Sequence, residues 1–314
     1  MKVVDRMLEW ENAGKIDLLK TGDTIGIVCP SGYMAAERIL SCVHTLKSWG
    51  FRVKIGRTVG GDSMNYFSGT DAERLDDLQA MLDDDEISAI LFGRGGYGLS
   101  RIIDQISFKK FKKSPKWILG YSDITLLHAY IYANYEIATA HSPMAGAFAE
   151  AATEDMYINS VRDLLTGEKL NYSCDVHPFN RRGEAEGKLM GGNLTLLAHA
   201  VGGPSDFKTK GLILFIEDIG EYLYNMDRML HQLKEAGKFQ KPAALIIGSF
   251  IDMKDTERPF GQNAYEIIRD FLEEYGYPVC YGFPVGHVKE NFALKCGSDY
   301  RLKISREKVL LEEI

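Results

Sequence analysis

A serine stands where an apolar run meets a helical pattern in Lys-Trp-Ile-Leu-Gly-Tyr-Ser-Asp-Ile-Thr-Leu-Leu-His, residues 116–128. A hydroxyl at a sharp strand-to-helix turn is lifted out of the chain. The N–H groups of the helix start then lie ready to receive developing negative charge, which is the arrangement a nucleophile needs. Such an elbow commonly reads G-x-S-x-G. Here Gly120 precedes Ser122 by two, but Ile124 takes the place of the second glycine. The competing reading is that Ser122 or Asp123 only caps the helix, as such residues commonly do.

Three further groups have chemical potential. Leu-Phe-Gly-Arg-Gly-Gly-Tyr-Gly-Leu-Ser-Arg, residues 91–101, follows an apolar run. A glycine-rich loop there forms a nest of backbone N–H groups suited to an anion or oxyanion. Gly93, Gly95 and Gly98 also satisfy G-x-G-x-x-G, with Asp123 near the place of a ribose-binding carboxylate, so a dinucleotide-binding protein or dehydrogenase is a rival. Against it, this is not the first strand–turn–helix unit of the chain. Glu217 and Asp218 end the apolar run of residues 211–218, where open α/β sheets keep their sites; the bland alternative is that they solvate the strand exit. Among the histidines, His44, His199 and His231 lie in amphipathic helical patterns, and His128 lies on the helix after Ser122. His141 and His287 both follow short apolar runs. A base for Ser122 needs hydrogen-bond reach and a carboxylate on its far nitrogen, and spacing does not choose between His141 and His287.

These groups sit on alternating strand and helix patterns. Strand patterns at 23–32, 52–57, 87–93 and 116–122 alternate with helical patterns at 35–51, 71–85, 99–106 and 123–135. The first of these helices places Ile39, Leu40, Val43, Leu46 and Trp49 on one face. Repeated β–α alternation predicts a parallel sheet covered on both faces. A polar, aperiodic stretch divides the chain, giving a domain at 1–165, a linker at 166–186 and a second domain at 187–314. The 314 residues are 45% hydrophobic and 26% charged, ordinary for globular domains. A net charge of −7 without a basic block argues against a nucleic-acid partner. No apolar run has membrane-spanning length, and the N-terminus lacks the continuous apolar segment of a signal peptide. Five widely spaced cysteines without C-x-x-C suggest reduced thiols and a cytoplasmic location.

Six motifs in order resemble one family: Gly-Arg-Gly-Gly-Tyr-Gly (93–98), Gly-Tyr-Ser-Asp-Ile-Thr (120–125), His-Ser-Pro-Met (141–144), Gly-Lys-Leu-Met-Gly-Gly-Asn-Leu (187–194), Phe-Ile-Glu-Asp (215–218) followed by Tyr-Asn-Met-Asp-Arg-Met-Leu (224–230), and Val-Gly-His-Val-Lys-Glu-Asn (285–291). Over roughly residues 20–300 the chain is similar to the L,D-carboxypeptidases, or muramoyltetrapeptide carboxypeptidases, a family that includes microcin C self-immunity proteins. The resemblance implies Ser122 as nucleophile, His287 as base and Glu217 as the group orienting it. It implies oxyanion donors in the Asp123 N–H and that of Gly95 or Gly96. It also implies a Rossmann-like parallel-sheet N-terminal domain, a smaller β-rich α/β C-terminal domain, a site between them, no metal or cofactor, and a possible homodimer. Arg94 is expected to bind a substrate carboxylate, and Tyr121 to line the substrate site. The implied reaction removes the terminal D-alanine from a murein tetrapeptide. The immunity branch, which hydrolyses peptidyl or aminoacyl adenylates, ranks second: its members are expected to carry an aromatic platform ahead of the Gly-Lys-Leu motif, where this chain has Phe179 but no tryptophan. The chain departs from the family at Ser142, where glycine is usual, and over 293–299.

Overall fold

The computed structural model describes residues 16–63, 65–149 and 155–314. Two sheets organise them. In the first, β1 (Thr24–Val28), β2 (Arg52–Ile55), β3 (Ile87–Phe92), β4 (Trp117–Gly120) and β5 (Thr139–His141) run parallel in the order β2-β1-β3-β4-β5. Every residue of β1 is buried, as a central strand covered on both faces requires. The intervening helices α1 (Leu40–Ser48), α2 (Asp71–Asp83) and α3 (Thr125–Tyr135) complete a Rossmann-like α/β layer. Thr70 and Glu73 form a capping box that satisfies the first N–H groups of α2. Because β3 and β4 are neighbours, with Leu91 opposite Leu119, the glycine-rich loop and the Ser122 turn emerge side by side at the same sheet end.

After α4 (Met156–Thr166), the second sheet is mixed. β7 (Gly183–Asn193), β8 (Ile213–Ile219), β9 (Ala244–Ile251) and β10 (Val279–Tyr281) are parallel. β12 (Asp299–Ile304), β13 (Val309–Glu313) and β6 (Asn171–Cys174) extend it antiparallel beyond β7. Helices α5 (Leu194–Ala200), α6 (Leu223–Glu235) and α7 (Ala264–Phe271) connect its parallel strands.

Four details differ from the expectations. The 35–51 pattern enters through a 3-10 turn at 36–39, which rotates the following helix. Ile39, Cys42 and Leu46 are buried, while Leu40 is 62% exposed. The 99–106 pattern forms two short 3-10 turns, 99–101 and 103–105, rather than one helix. Residues 166–186, expected as a linker, carry β6, an Arg181–Val279 bridge and the start of β7. β11 (Leu294–Cys296), although late in the chain, pairs antiparallel with β5 and closes the edge of the first sheet.

Candidate functional site

The turn after β4 puts Ser122 at φ +64°, a left-handed conformation that costs a non-glycine residue about 1 kcal/mol or more. Neither the 3-10 turn at 122–124 nor α3 receives a side-chain cap, so the capping role is not used. The Ser122 hydroxyl instead lies 3.0 Å from His287 Nε2. On the far side of that ring, His287 Nδ1–H donates to Glu217 Oε2 at 2.7 Å. Glu217 is fully buried, and its other oxygen has no hydrogen-bond partner among the described residues.

Local structure explains how each group is aimed. The pairing of β8 with β9 slips between Ile216 and Asp218, and the irregularity turns Glu217 toward the loop that follows β10. Burial works to lower the pKa of His287. The hydrogen bond to Glu217, the Glu217 charge and the charge of Asp218 outweigh it and hold the imidazole above its usual value. Asp123 points the other way. It is buried, and its Oδ2 accepts from Ser31 Oγ–H at 2.5 Å and Leu99 N–H at 2.9 Å, which ties the turn to two neighbouring loops. Burial raises its pKa against the lowering effect of those bonds.

One further bond joins the two halves of the chain near the site, and three others hold Asp218 within the second half. Asn193 N–H donates to Thr125 Oγ1 at 3.1 Å, at the start of the helix that follows Ser122. Asn193 Nδ2–H donates to Asp218 Oδ1 at 2.8 Å, and Thr195 binds Asp218 Oδ2 through its N–H and hydroxyl at 3.0 and 2.8 Å. Burial and the adjacent Glu217 charge push Asp218 up to about 6.

Of the glycine-rich loop, Gly95 comes closest to Ser122. A Cβ built on it would lie 3.0 Å from Ser122 Oγ and 3.4 Å from Asp123 N, so the position admits only glycine without displacement. Gly96 faces the Tyr66 hydroxyl. A cleft of about 620 Å³ opens beside the serine, with Tyr33, Arg38, Arg94, Tyr121, His287 and Lys289 on its walls. Arg94 Nη1–H donates to Tyr33 O at 2.9 Å, which fixes the guanidinium at the cleft edge. The Tyr121 ring meets that of His287 edge-on at 4.8 Å.

The structure therefore brings Ser122, Glu217 and His287 into one line, with Gly95 and the Asp123 N–H at the serine. It excludes His141 as the partner of Ser122: that ring is buried, and its Nε2 lies 3.3 Å from Asn291 Oδ1. His128 is also buried, with Nε2–H on Gly120 O at 2.8 Å. Asp123 is occupied by Ser31 and Leu99, so it is not free for a ribose. The residues that sequence reasoning passed over are Ser31, Thr125, Asn193 and Asn291. Ser31 had a signal, since it sits in a Pro-Ser-Gly turn just past β1 at the same sheet end. Thr125, Asn193 and Asn291 each lie inside one of the six motifs, but their roles depend on partners distant along the chain.

Residues 25–142 match the N-terminal domain of LD-carboxypeptidases and residues 186–302 their C-terminal domain. The probable murein peptide carboxypeptidase of Bacillus subtilis is 33% identical, over 94% of this chain and 93% of that protein. The microcin C7 self-immunity protein of Escherichia coli is 26% identical, over 94% of each. The crystal structure of muramoyltetrapeptide carboxypeptidase from Oxalobacter formigenes superposes with a TM-score of 0.83 at 28% identity, covering 92% of this chain and 98% of that one.

Proposed function

The chain belongs to the LD-carboxypeptidase family, and from that premise we propose that it is a serine-type L,D-carboxypeptidase of cell-wall peptides, acting in the cytoplasm in peptidoglycan recycling. Its substrate is a murein tetrapeptide, cut after the L-centre of diaminopimelate or lysine to release D-alanine. Ser122 attacks the carbonyl as His287 takes its proton. Glu217 holds the imidazole in the tautomer whose Nε2 lone pair faces the hydroxyl. The Asp123 N–H and one from Gly95 or Gly96 receive the charge that develops on the carbonyl oxygen. His287 then protonates the leaving amine of D-alanine, and water, activated by the same imidazole, releases the peptide from the serine.

The observation that carries the reading is the unbroken hydrogen-bonded line from Ser122 through His287 to a fully buried carboxylate. The cleft adds chemical sense. Arg38, Arg94 and Lys289 line it against Asp155, whose carboxylate already caps α4, so it suits a peptide rich in carboxylates. Incubating the enzyme with a murein tetrapeptide should produce, by mass spectrometry, a tripeptide and free D-alanine. Ser122→Ala should lower turnover by three orders of magnitude or more, about 4 kcal/mol of barrier. Normal turnover in that variant would end the proposal. Arg94 is assigned the terminal carboxylate of the substrate. Arg94→Ala should raise KM about tenfold or more with kcat little changed, and an unchanged KM would remove that role.

The immunity-type reading, hydrolysis of aminoacyl or peptidyl adenylates, ranks below this one. Phe179 packs on His177 and Tyr281 with Arg269 over its ring, away from the residues that line the cleft. Competition between a tetrapeptide and an aminoacyl sulfamoyl adenosine at the purified enzyme separates the two.

A further inference from the structure

We propose that His141 and Asn291 form an uncharged brace that positions His287, a role that rests on the peptidase reading for its kinetic consequence. Asn291 Oδ1 accepts two hydrogen bonds: from Gly286 N–H at 3.0 Å and from His141 Nε2 at 3.3 Å. Gly286 directly precedes the base. Its N–H can only donate, which fixes the orientation of the Asn291 amide with oxygen toward it. The His141 nitrogen facing that oxygen must then carry its proton, so His141 is the neutral Nε2–H tautomer. Burial keeps it neutral by pushing its pKa down to about 3. Both side chains are almost fully buried. His141 sits on β5, the strand beside the one that delivers Ser122, and its ring packs edge-on against Phe215 of β8 and tilted against Tyr121. The brace thus refers the loop carrying His287 to the sheet carrying the nucleophile.

Glu217 sets both the orientation and the charge of the base; the brace sets position alone. The groups facing His287 are Glu217 and Asp218 from β8, Tyr121 from the serine turn and His141 from β5. Asn291→Ala should therefore lower kcat about 10- to 100-fold, leave KM within about twofold, and leave the acidic limb of kcat/KM in place. Asn291→Asp keeps the acceptor but adds a negative charge, and should move that limb to higher pH. His141→Gln, which retains an N–H donor, should keep most of the rate, whereas His141→Phe should not. If the His141 variants fail to fold, the two Asn291 variants decide. Wild-type kcat in Asn291→Ala, or a loss expressed in KM, would overturn the brace. The readout independent of turnover is the imidazole spectrum of ¹⁵N-histidine-labelled protein. The His287 signal should be single in wild type and broadened or split in Asn291→Ala, and an unchanged signal would also overturn the proposal. Failure of the peptidase reading is seen separately, as no D-alanine release and no labelling of Ser122 by a phosphonate probe in wild type.

Discussion

Ser122 sits at φ +64°, in a conformation that side chains rarely adopt, and it is held there by what surrounds it rather than by its own preference. Asp123 is pulled inward by Ser31 and Leu99, and this leaves the hydroxyl of the preceding residue pointing outward at His287. Glu217 is the main influence that raises the titration of His287. Burial alone would lower the His287 pKa, while Glu217 and then Asp218 raise it above 6.5. As the base of the proposed reaction His287 must be neutral to accept a proton, so kcat/KM should climb with pH through a midpoint above 6.5. In Glu217→Gln the raising influence of that carboxylate is gone and burial remains, so the midpoint should move to lower pH while kcat falls on the order of 10³-fold or more. The rate of Ser122 inactivation by a phosphonate, followed across pH, measures the shift even where turnover is slow. A midpoint that stays in place would mean that Glu217 does not carry charge beside the imidazole.

At the scale of elements, three strand ends converge: β4 delivers the serine, β8 the glutamate, and the loop after β10 the histidine. Contact between the backbone at the end of β7 and the Thr125 side chain at the start of α3 ties the two halves together here. Gly192 has φ +142°, and a Cβ there would lie 2.5 Å from Thr125 Oγ1. That is the physical content of the second glycine in Gly-Lys-Leu-Met-Gly-Gly-Asn-Leu: the strand must pass against the helix that follows the Ser122 turn, while a Cβ on the first, Gly191, would run into Phe215 of β8. Gly192→Ala combines backbone strain with overpacking. It should cost about 2–4 kcal/mol in urea unfolding and push Thr125, and with it the serine turn, off position. Full activity with unchanged stability would show that the two sheets do not depend on this contact.

Over the whole molecule, the second half of the chain does more than supply two side chains. β11 closes the first sheet, and β6 with the early part of β7 fills the stretch between the two halves. Among the described residues no helix is long and apolar enough to cross a membrane. Two buried histidines, His128 on α3 and His141 on β5, make the folded state sensitive to acid. Burial holds His128 down to about 4, against the lesser raising effect of its bond to Gly120. An unfolded histidine titrates near 6.5, so below that pH the unfolded chain gains a proton that the folded chain refuses. The stability contributed by neutral His128 is complete above about pH 6.5 and is lost progressively toward pH 4, at about 1.4 kcal/mol per pH unit. His141 follows the same sign, whereas Asp218, raised to about 6, opposes it as the folded carboxyl takes its proton first. The variant His128→Gln isolates one contribution. Its stability relative to wild type should improve by about 2–3 kcal/mol between pH 7 and pH 4.5 in parallel urea titrations, and a constant difference would refute the assignment.

Local chemistry was readable in the sequence wherever a strand, a turn and a helix follow one another. The glycine-rich loop, the Ser122 junction and the acidic pair at 217–218 all stand at apolar-to-polar breaks, because a buried parallel strand must be apolar and must end where polar groups begin. Motif order then placed the chain among the LD-carboxypeptidases. The edge strand β6 escaped notice, since its four residues bury only Tyr172 and carry no apolar run. Likewise the 3-10 turn ahead of α1 rotated a helical face that spacing alone had set differently. Spacing left His287 and His141 open, the motif resemblance implied His287, and the tertiary structure supplied the contact itself. The pair Ser122–His287 spans 165 positions of sequence, and whether an imidazole reaches a hydroxyl depends on packing between two sheets rather than on any neighbour along the chain.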